Sequence, residues 1–366
     1  MAKFTDIFED VTKQGTKIPT NLYLETGMYP IIDQGQSQVA GYTNETEGVF
    51  TDIPAIIFGD HTRIIKYVDA PCFLGADGVK LLKAKDPTAN YKYLYYALCN
   101  ADIPNTGYNR HFKWLKEIEI PEYSTEEQNS VVSQLETIDV LISLRKQQLS
   151  KLDELVKSRF IELFGDPEHN EKKWAVLKLE ALCSVSSSKR IYQNELDMDG
   201  VPFLRISDLV NRMDTGSTEC ELHIPEERYE ELKSLGLVPV AGDVLLTARG
   251  TLGRCYTIAE SDRFYFQDGM ITWLYDFNKS LTTNYLTHLF AMSGFRKQID
   301  SLQAGSTVAY LSISMTKKLD VMLPPLDLQE QFAAFVEQTD KSKLAIQKSL
   351  EKLETLKKAL MQQYFG

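Results

Sequence analysis

Hydrogen-bond donors collect in short, turn-like stretches of this chain. Before residue 114 they are Gln34-Gly35-Gln36-Ser37, His61-Thr62-Arg63, and Asn109-Arg110-His111 with Lys113. Further on come Ser187-Ser188-Lys189-Arg190, Arg205 with Ser207, Arg249-Gly250-Thr251 with Arg254, and Ser306-Thr307 with Tyr310. Arg, Lys, Asn and Gln reach base edges in a nucleic-acid groove, while hydroxyls and backbone amides serve phosphates. A solvated turn is the competing reading of each cluster.

Catalytic chemistry is not legible beside them. The chain has no G-x-x-x-x-G-K-[ST] phosphate loop, no G-x-G-x-x-G and no Asn-Pro-Pro-aromatic motif. Leu323-Pro324-Pro325-Leu326 lacks the Asn and the aromatic that would grip a flipped base. His61, His111, His169, His223 and His288 stand alone in the sequence, and Cys72, Cys99, Cys183, Cys220 and Cys255 form no C-x-x-C pair. We therefore expect no catalytic residue, no metal and no cofactor in this chain, and buried, reduced thiols.

With 40 Lys and Arg against 51 Asp and Glu, the net charge is −11, which excludes a generally basic coat and confines any nucleic-acid site to a local patch. The 43% apolar and 25% charged composition of 366 residues fits two or three packed domains. MAKFTDIFED has neither a basic nor an apolar leader pattern, and no window approaches a membrane span. Neither export nor membrane insertion is expected.

The elements that must carry the donor loops emerge from self-comparison. Ile120-Pro121-Glu122-Tyr123-Ser124-Thr125-Glu126-Glu127-Gln128 reappears as Leu323-Pro324-Pro325-Leu326-Asp327-Leu328-Gln329-Glu330-Gln331, and Leu163-Phe164-Gly165 as Tyr364-Phe365-Gly366. The later offset is two residues shorter. Each copy reads as a long helix, opened by a capping box, Ser124 with Glu127 or Asp327 with Glu330, and stopped by glycine. Leu135, Ile138, Ile142, Arg145, Leu149, Leu152, Val156, Arg159 and Leu163 form an a/d seam. Val336, Thr339, Lys343, Ile346, Leu350, Leu353, Lys357, Leu360 and Tyr364 form the second. Charged residues interrupt each seam where the other is apolar, so the helices, 124–164 and 327–364, are expected to pack antiparallel on each other, with Lys343 and Lys357 as weak layers.

Gly59, Arg63, Asp77 and Gly78 also recur, as Gly250, Arg254, Asp268 and Gly269, and Tyr93-Leu94 as Tyr285-Leu286. Strands are expected at 53–58, 63–67 and 79–82 with a helix at 91–99, and again at 244–247, 254–258 and 270–274 with a helix at 283–293. The fold class is thus α+β, a tandem duplication: a domain at 1–123, a helical spacer at 124–166, a second domain at 167–324 and a second spacer at 325–366.

Two unlike domains, each followed by a helix that begins P-x-x-[ST/D]-x-[EQ]-[EQ]-Q and ends in Phe-Gly, resemble the specificity subunit of a type I restriction–modification system. Gly59-Asp60-His61-Thr62-Arg63 and Gly242-Asp243-Val244-Leu245-Leu246 with Arg249-Gly250-Thr251-Leu252-Gly253 look like turns of its target recognition domains. The resemblance implies a non-catalytic, cytoplasmic DNA-binding chain. It implies that each domain binds half of a split double-stranded DNA site and that the helices form an antiparallel coiled coil. Methyltransferase subunits, with S-adenosylmethionine on them, and restriction/translocase subunits are the implied partners, and no membrane. A helix of this length spans on the order of 55 Å against about 34 Å for a DNA turn, so separated half-sites are within reach. The rival is an acidic DNA mimic or plain coiled-coil scaffold, which the net charge suits.

Gln34, Gln36, His61, Thr62, Arg63, Asn109, Arg110, Lys113, Lys189, Arg190, Arg205, Arg249, Thr251, Arg254, Ser306, Thr307 and Tyr310 are the candidate DNA contacts. Arg63 and Arg254, recurring in register, are expected to occupy one place in both domains and to clamp phosphate, with glycine allowing close backbone approach. The divergent His61, Lys189, Arg190 and Arg249 would then carry the sequence code. An ion pair of Arg63 with Asp77 is the structural alternative.

Overall fold

Short apolar runs buried on both faces, Ala55–Gly59 and Val244–Thr247, write the central strands of this protein, whose computed structural model describes residues 1–75, 77–302 and 309–366. Two compact units form, Met1–Gln148 with Ile346–Gly366, and Leu149–Ala345.

In unit 1 the order is β1 (Ala2–Lys3), α1 (Phe4–Ile7), β2 (Phe8–Asp10), β3 (Tyr29–Ile32), β4 (Gly41–Thr43), β5 (Ala55–Gly59), β6 (Ile65–Val68), β7 (Phe73–Leu74), β8 (Val79–Ala84), α2 (Tyr91–Cys99), α3 (Phe112–Leu115) and β9 (Glu119–Ile120), then the long helix α4 (Thr125–Phe164). Three sheets result, β2-β8-β5-β6, β4-β3-β7 and β1-β9. Along β5, Ile56 and Phe58 face α2 and the α4 residues Val131, Val132 and Leu135. Their neighbours Ala55 and Ile57 face Val11, Ile32 and Leu74 in a second core. A period of two thus sends successive side chains of one central strand into different cores.

Unit 2 continues with β10 (Ala175–Lys178), β11 (Ser184–Ser186), β12 (Val201–Leu204), α5 (Ile206–Thr215), β13 (His223–Ile224), α6 (Glu226–Ser234), β14 (Val244–Thr247), β15 (Cys255–Thr257), β16 (Tyr265–Phe266), β17 (Ile271–Tyr275), α7 (Thr283–Ala291), α8 (Ser293–Ser301), α9 (Ile313–Lys317), β18 (Asp320–Leu323) and the helix α10 (Leu326–Phe365). Its sheets, β11-β17-β14-β15, β13-β12-β16 and β10-β18, repeat those of unit 1 strand for strand. Even the parallel pair recurs, β3 with β7 and β12 with β16. Helices α5 and α6 have no counterpart in unit 1 among the described residues. Arg212 ties α5 down, bonding Asp262 and, at 2.9 Å, the Tyr256 hydroxyl.

Helices α4 and α10 pack antiparallel. In unit 1, Tyr123 beside the start of α4 meets Tyr364 at the end of α10, and in unit 2, Phe160 and Phe164 at the end of α4 meet Phe332 near the start of α10. All the seam positions named from sequence are buried or half-buried. Two details depart from expectation. Lys343 and Lys357 are not unsupported layers: Lys343 bridges Asp153 at 2.6 Å, and Lys357 bridges Asp139 at 2.5 Å, each on the opposite helix. The Ser124 and Glu127 box forms, with Ser124 N donating to Glu127 at 2.9 Å and Glu127 N to Ser124 Oγ at 3.3 Å, but Asp327 lies inside α10, not at its cap. Gln128 Nε2 donates to Tyr123 O and Gln329 Nε2 to Pro324 O, both across five residues. Gln329, not Gln331, is therefore the partner of Gln128. The two-residue gap precedes the helix, because helical phase tolerates no insertion once the seam has begun.

Candidate nucleic-acid interface

In unit 1 the donor loops converge where β5 stops. Gln34, just past β3, accepts from His61 N at 3.2 Å through Oε1, donates to Asp77 O at 3.1 Å, and receives the Thr62 hydroxyl on its carbonyl at 2.7 Å. One amide thereby fastens three turns together and is spent internally. Asp60, buried, accepts Phe112 N at 2.7 Å and sends its own N–H to Gly78 O. His111, fully buried, donates from Nδ1 to Asp60 O at 3.0 Å and offers Nε2 to Thr106. It is a structural pin, since both ring nitrogens are occupied. His61 bonds Asn109 O at 3.2 Å and stacks on Tyr108, with ring centroids 4.6 Å apart. Asn109 uses its side-chain amide on Thr106 O. Gln36, Thr62, Arg110 and Lys113 remain exposed along this edge, Lys113 resting on the Trp114 ring.

Unit 2 gathers its loops at the corresponding end. Ser187 Oγ joins Gly269 N to Ile271 O, and Ser188 Oγ donates to Phe266 O at 2.7 Å. Lys189 N donates to the Tyr265 hydroxyl, leaving an exposed side chain, while Arg190 bonds Asp268 at 2.9 Å. Arg205 is held by Asp208 at 3.1 Å and by Glu221 at 3.0 Å, and these bonds raise its pKa further above the ordinary range. Arg249 lies over the Tyr310 ring at 5.2 Å and pairs with Tyr310 through the backbone. Thr251 lends its carbonyl to the Thr247 hydroxyl and keeps its side chain exposed. Ser306 and Thr307 lie outside the described residues.

Arg63 and Arg254 do not share one place. Strand pairing sets Ile56 and Phe58 level with Val244 and Leu246, because Phe58 faces Ile65 and Leu246 faces Cys255, with the same pair of cores on either side. Arg63 then stands two residues before β6 and Arg254 directly before β15, one step out of register. The β14–β15 turn is longer by two residues, and a turn absorbs length that a ladder cannot. Arg63, at φ 63°, donates to Ile103 O at 3.0 Å, whereas Arg254 grips Asp214 with both terminal nitrogens, at 2.5 and 3.3 Å. Asp77 is not the partner of Arg63; it pairs with Lys17 at 3.7 Å. The glycines differ too. A Cβ on Gly59 would collide with Thr62 and Gln34, so internal packing demands that glycine, while Gly250 has φ 68° and open space around it.

Sequence reasoning missed Tyr108, 87% exposed on the His61 ring; an aromatic beside Asn109-Arg110 was the available signal. It also missed the carboxylates Asp214, Glu221 and Asp268, because Asp214 and Asp268 lie far along the chain from the arginines they hold.

The family described as Type I restriction modification DNA specificity domain matches residues 1–154 and 171–358. The chain belongs to this specificity family. Among relatives, a Haemophilus influenzae protein provisionally named a type I restriction enzyme specificity subunit is 25% identical over 360 residues, covering 89% of this chain and 85% of its own. The type I restriction enzyme MjaVIII specificity subunit of Methanocaldococcus jannaschii is 24% identical over 318 residues, covering 79% and 74%. The fold is that of the type I restriction-modification S subunit from M. genitalium, with TM-score 0.61, 17% identity, and coverage of 100% of this chain and 95% of that one. The duplicated plan is thus shared with that S subunit, and in this chain the corresponding end of each unit, taken by itself, presents different donors. No helix among the described residues is long and apolar enough to cross a membrane.

Proposed function

We propose that this chain is the non-catalytic specificity subunit of a type I restriction–modification complex and reads a split, asymmetric site in double-stranded DNA, one half per domain (1–123 and 167–324). The observation that carries this reading is the repeated strand order with unlike donor sets at one end: Gln36, His61, Thr62, Arg110 and Lys113 in the first, Lys189, Arg190, Arg205, Arg249 and Arg254 in the second. Unlike half-sites need unlike readers on a common scaffold. His61 and Tyr108 offer a stacked aromatic edge beside Arg110, suited to apolar and hydrogen-bond contact with bases.

The helix pair and the spacers 124–166 and 325–366 dock methyltransferase subunits. Val140, Leu141, Leu144, Leu155, Leu344 and Leu356 lie off the seam and exposed, and apolar residues left outside a satisfied seam suit a protein partner. S-adenosylmethionine belongs on that partner, and restriction/translocase subunits complete the assembly, in the cytoplasm. Co-expression with the methyltransferase followed by long-read mapping of methylated bases tests the reading: a bipartite motif is expected, and exchange of residues 167–324 for a relative's domain should change one half alone. A continuous motif overturns it.

A further inference from the structure

The two recognition edges differ in how their cations are held. In unit 2, Arg190, Arg205 and Arg254 each grip a carboxylate, Asp268, Glu221 and Asp214 respectively. In unit 1, Arg63 bonds a backbone carbonyl, Lys113 rests on an aromatic ring, and Arg110 is exposed with no carboxylate within bonding distance among the described residues. A carboxylate meets a guanidinium with the same two-oxygen geometry as a phosphate.

Two further observations concern Asp214. It sits in the last turn of α5, just before the left-handed Gly216, where the helix dipole disfavours a negative side chain. Helix stability alone therefore argues against aspartate there, and its contact is with the arginine of the β14–β15 turn. Asp214 and Glu221 are also exposed, at 54% and 82%, so neither is locked by packing and both can yield. The Arg254 bond holds the Asp214 carboxyl below its usual range.

Resting on the DNA-reading function above, we propose that Asp214, Glu221 and Asp268 are specificity-determining stand-ins for DNA phosphates, which pre-orient and mask Arg254, Arg205 and Arg190 of the second domain. Random DNA must displace them at the cost of the ion pairs, so non-specific binding runs through the cations that no carboxylate masks, Arg110 and Lys113 in the first domain and Lys189 in the second. A correctly seated half-site supplies phosphates in the positions the carboxylates occupy and takes the arginines over. The mask also accounts for DNA recognition by a chain of net charge −11: its acids sit where they suppress wrong complexes.

The test uses the full chain assembled with its methyltransferase subunits and a random-sequence duplex titrated across a range of salt. Asp214→Asn should raise affinity about threefold and steepen the logarithmic salt dependence by up to about 0.9. In a background of Arg254→Ala the same substitution should change neither quantity. An Asp214→Asn complex that folds normally but binds as wild type, or a gain that persists without Arg254, overturns the mask. Arg110→Ala with Lys113→Ala separates the two levels. If this pair weakens binding while Asp214→Asn does nothing, the DNA reading stands and the mask falls; if the wild-type complex shows no salt-dependent DNA binding, both fall.

Discussion

Unit 1 closes around the helix pair with tyrosines, and unit 2 does so with phenylalanines. Tyr93 and Tyr285 keep one role in both, sending a buried hydroxyl to the backbone carbonyl of Pro121 or Met322. Around them the chemistry diverges. Tyr93 meets Tyr123 and Phe365, which lie near the surface, whereas Tyr285 is stacked by Phe160 at 5.5 Å and edged by Phe164, with Phe332 closing a fully buried cluster. A shared strand order therefore does not require shared anchoring. The ladder fixes topology, and each anchor is free to vary so long as it fills its volume.

The largest break in this comparison should come from Phe160→Ala, which opens a cavity in a closed aromatic cluster and should cost about 3–5 kcal/mol. Phe365→Ala in unit 1, half-buried, should cost less than half as much. Urea unfolding of the full chain, with hydrogen exchange to locate the loss, measures both; equal losses would mean that the two ends are anchored alike after all.

Next in size is the pair Gln128 and Gln329. Gln329 is fully buried and makes four bonds, accepting Thr282 N and Oγ1 and donating to Ser280 O and Pro324 O. Gln128 makes one of these, to Tyr123 O. Gln329→Ala strands several buried backbone groups and should cost about 3 kcal/mol, against about 1 for Gln128→Ala. A reversed order in thermal unfolding would remove the structural equivalence drawn between them.

The smallest effect concerns acid. On α2, Tyr96 donates to Asp139 of α4 at 2.8 Å; at the same place on α7 stands His288, edge-on to Phe332 with Asp340 and Lys343 nearby. Burial holds His288 below its ordinary range against the opposing pull of Asn284 O and Asp340. Folding then favours neutral imidazole, so stability is full above the unfolded pKa and falls as pH drops through it. The protection factors of α7, which are corrected for the intrinsic exchange rate, should fall from about pH 7.5 to about pH 5.5 while those of α2 are unmoved, and His288→Phe should abolish the difference. An equal loss of protection in both helices would sink the assignment to His288.

Most of the fold was legible because its signals are local. Helix 91–99 and strand 244–247 have the expected bounds, and the seams follow from spacing alone. What failed were relations between distant residues. Asp327 has the right spacing for a cap, yet Pro325 O, two residues earlier, already receives Leu328 N and Gln329 N. Arg63 and Arg254 match by counting, but strand pairing, which counting cannot see, sets them one step apart. At the candidate interface the loops were found, while the division into spent and free donors was not. Gln34 looks like a reader in sequence and serves as an internal fastener in the structure, as does His111 within the donor cluster at 109–113.

The nesting of the units has a consequence for synthesis. Unit 1 needs Ile346–Gly366 to cover Leu135 and Tyr123, whereas every residue of Leu149–Ala345 has been made before that segment begins. In order of synthesis the usual sequence, in which the N-terminal domain is completed first, is inverted: the inner unit has all its residues while the outer one still lacks a flank. A released chain truncated after Ala345 should therefore hold a protease-resistant second unit behind a first that is still cleavable, because what it lacks is the cover that Ile346–Gly366 gives to unit 1.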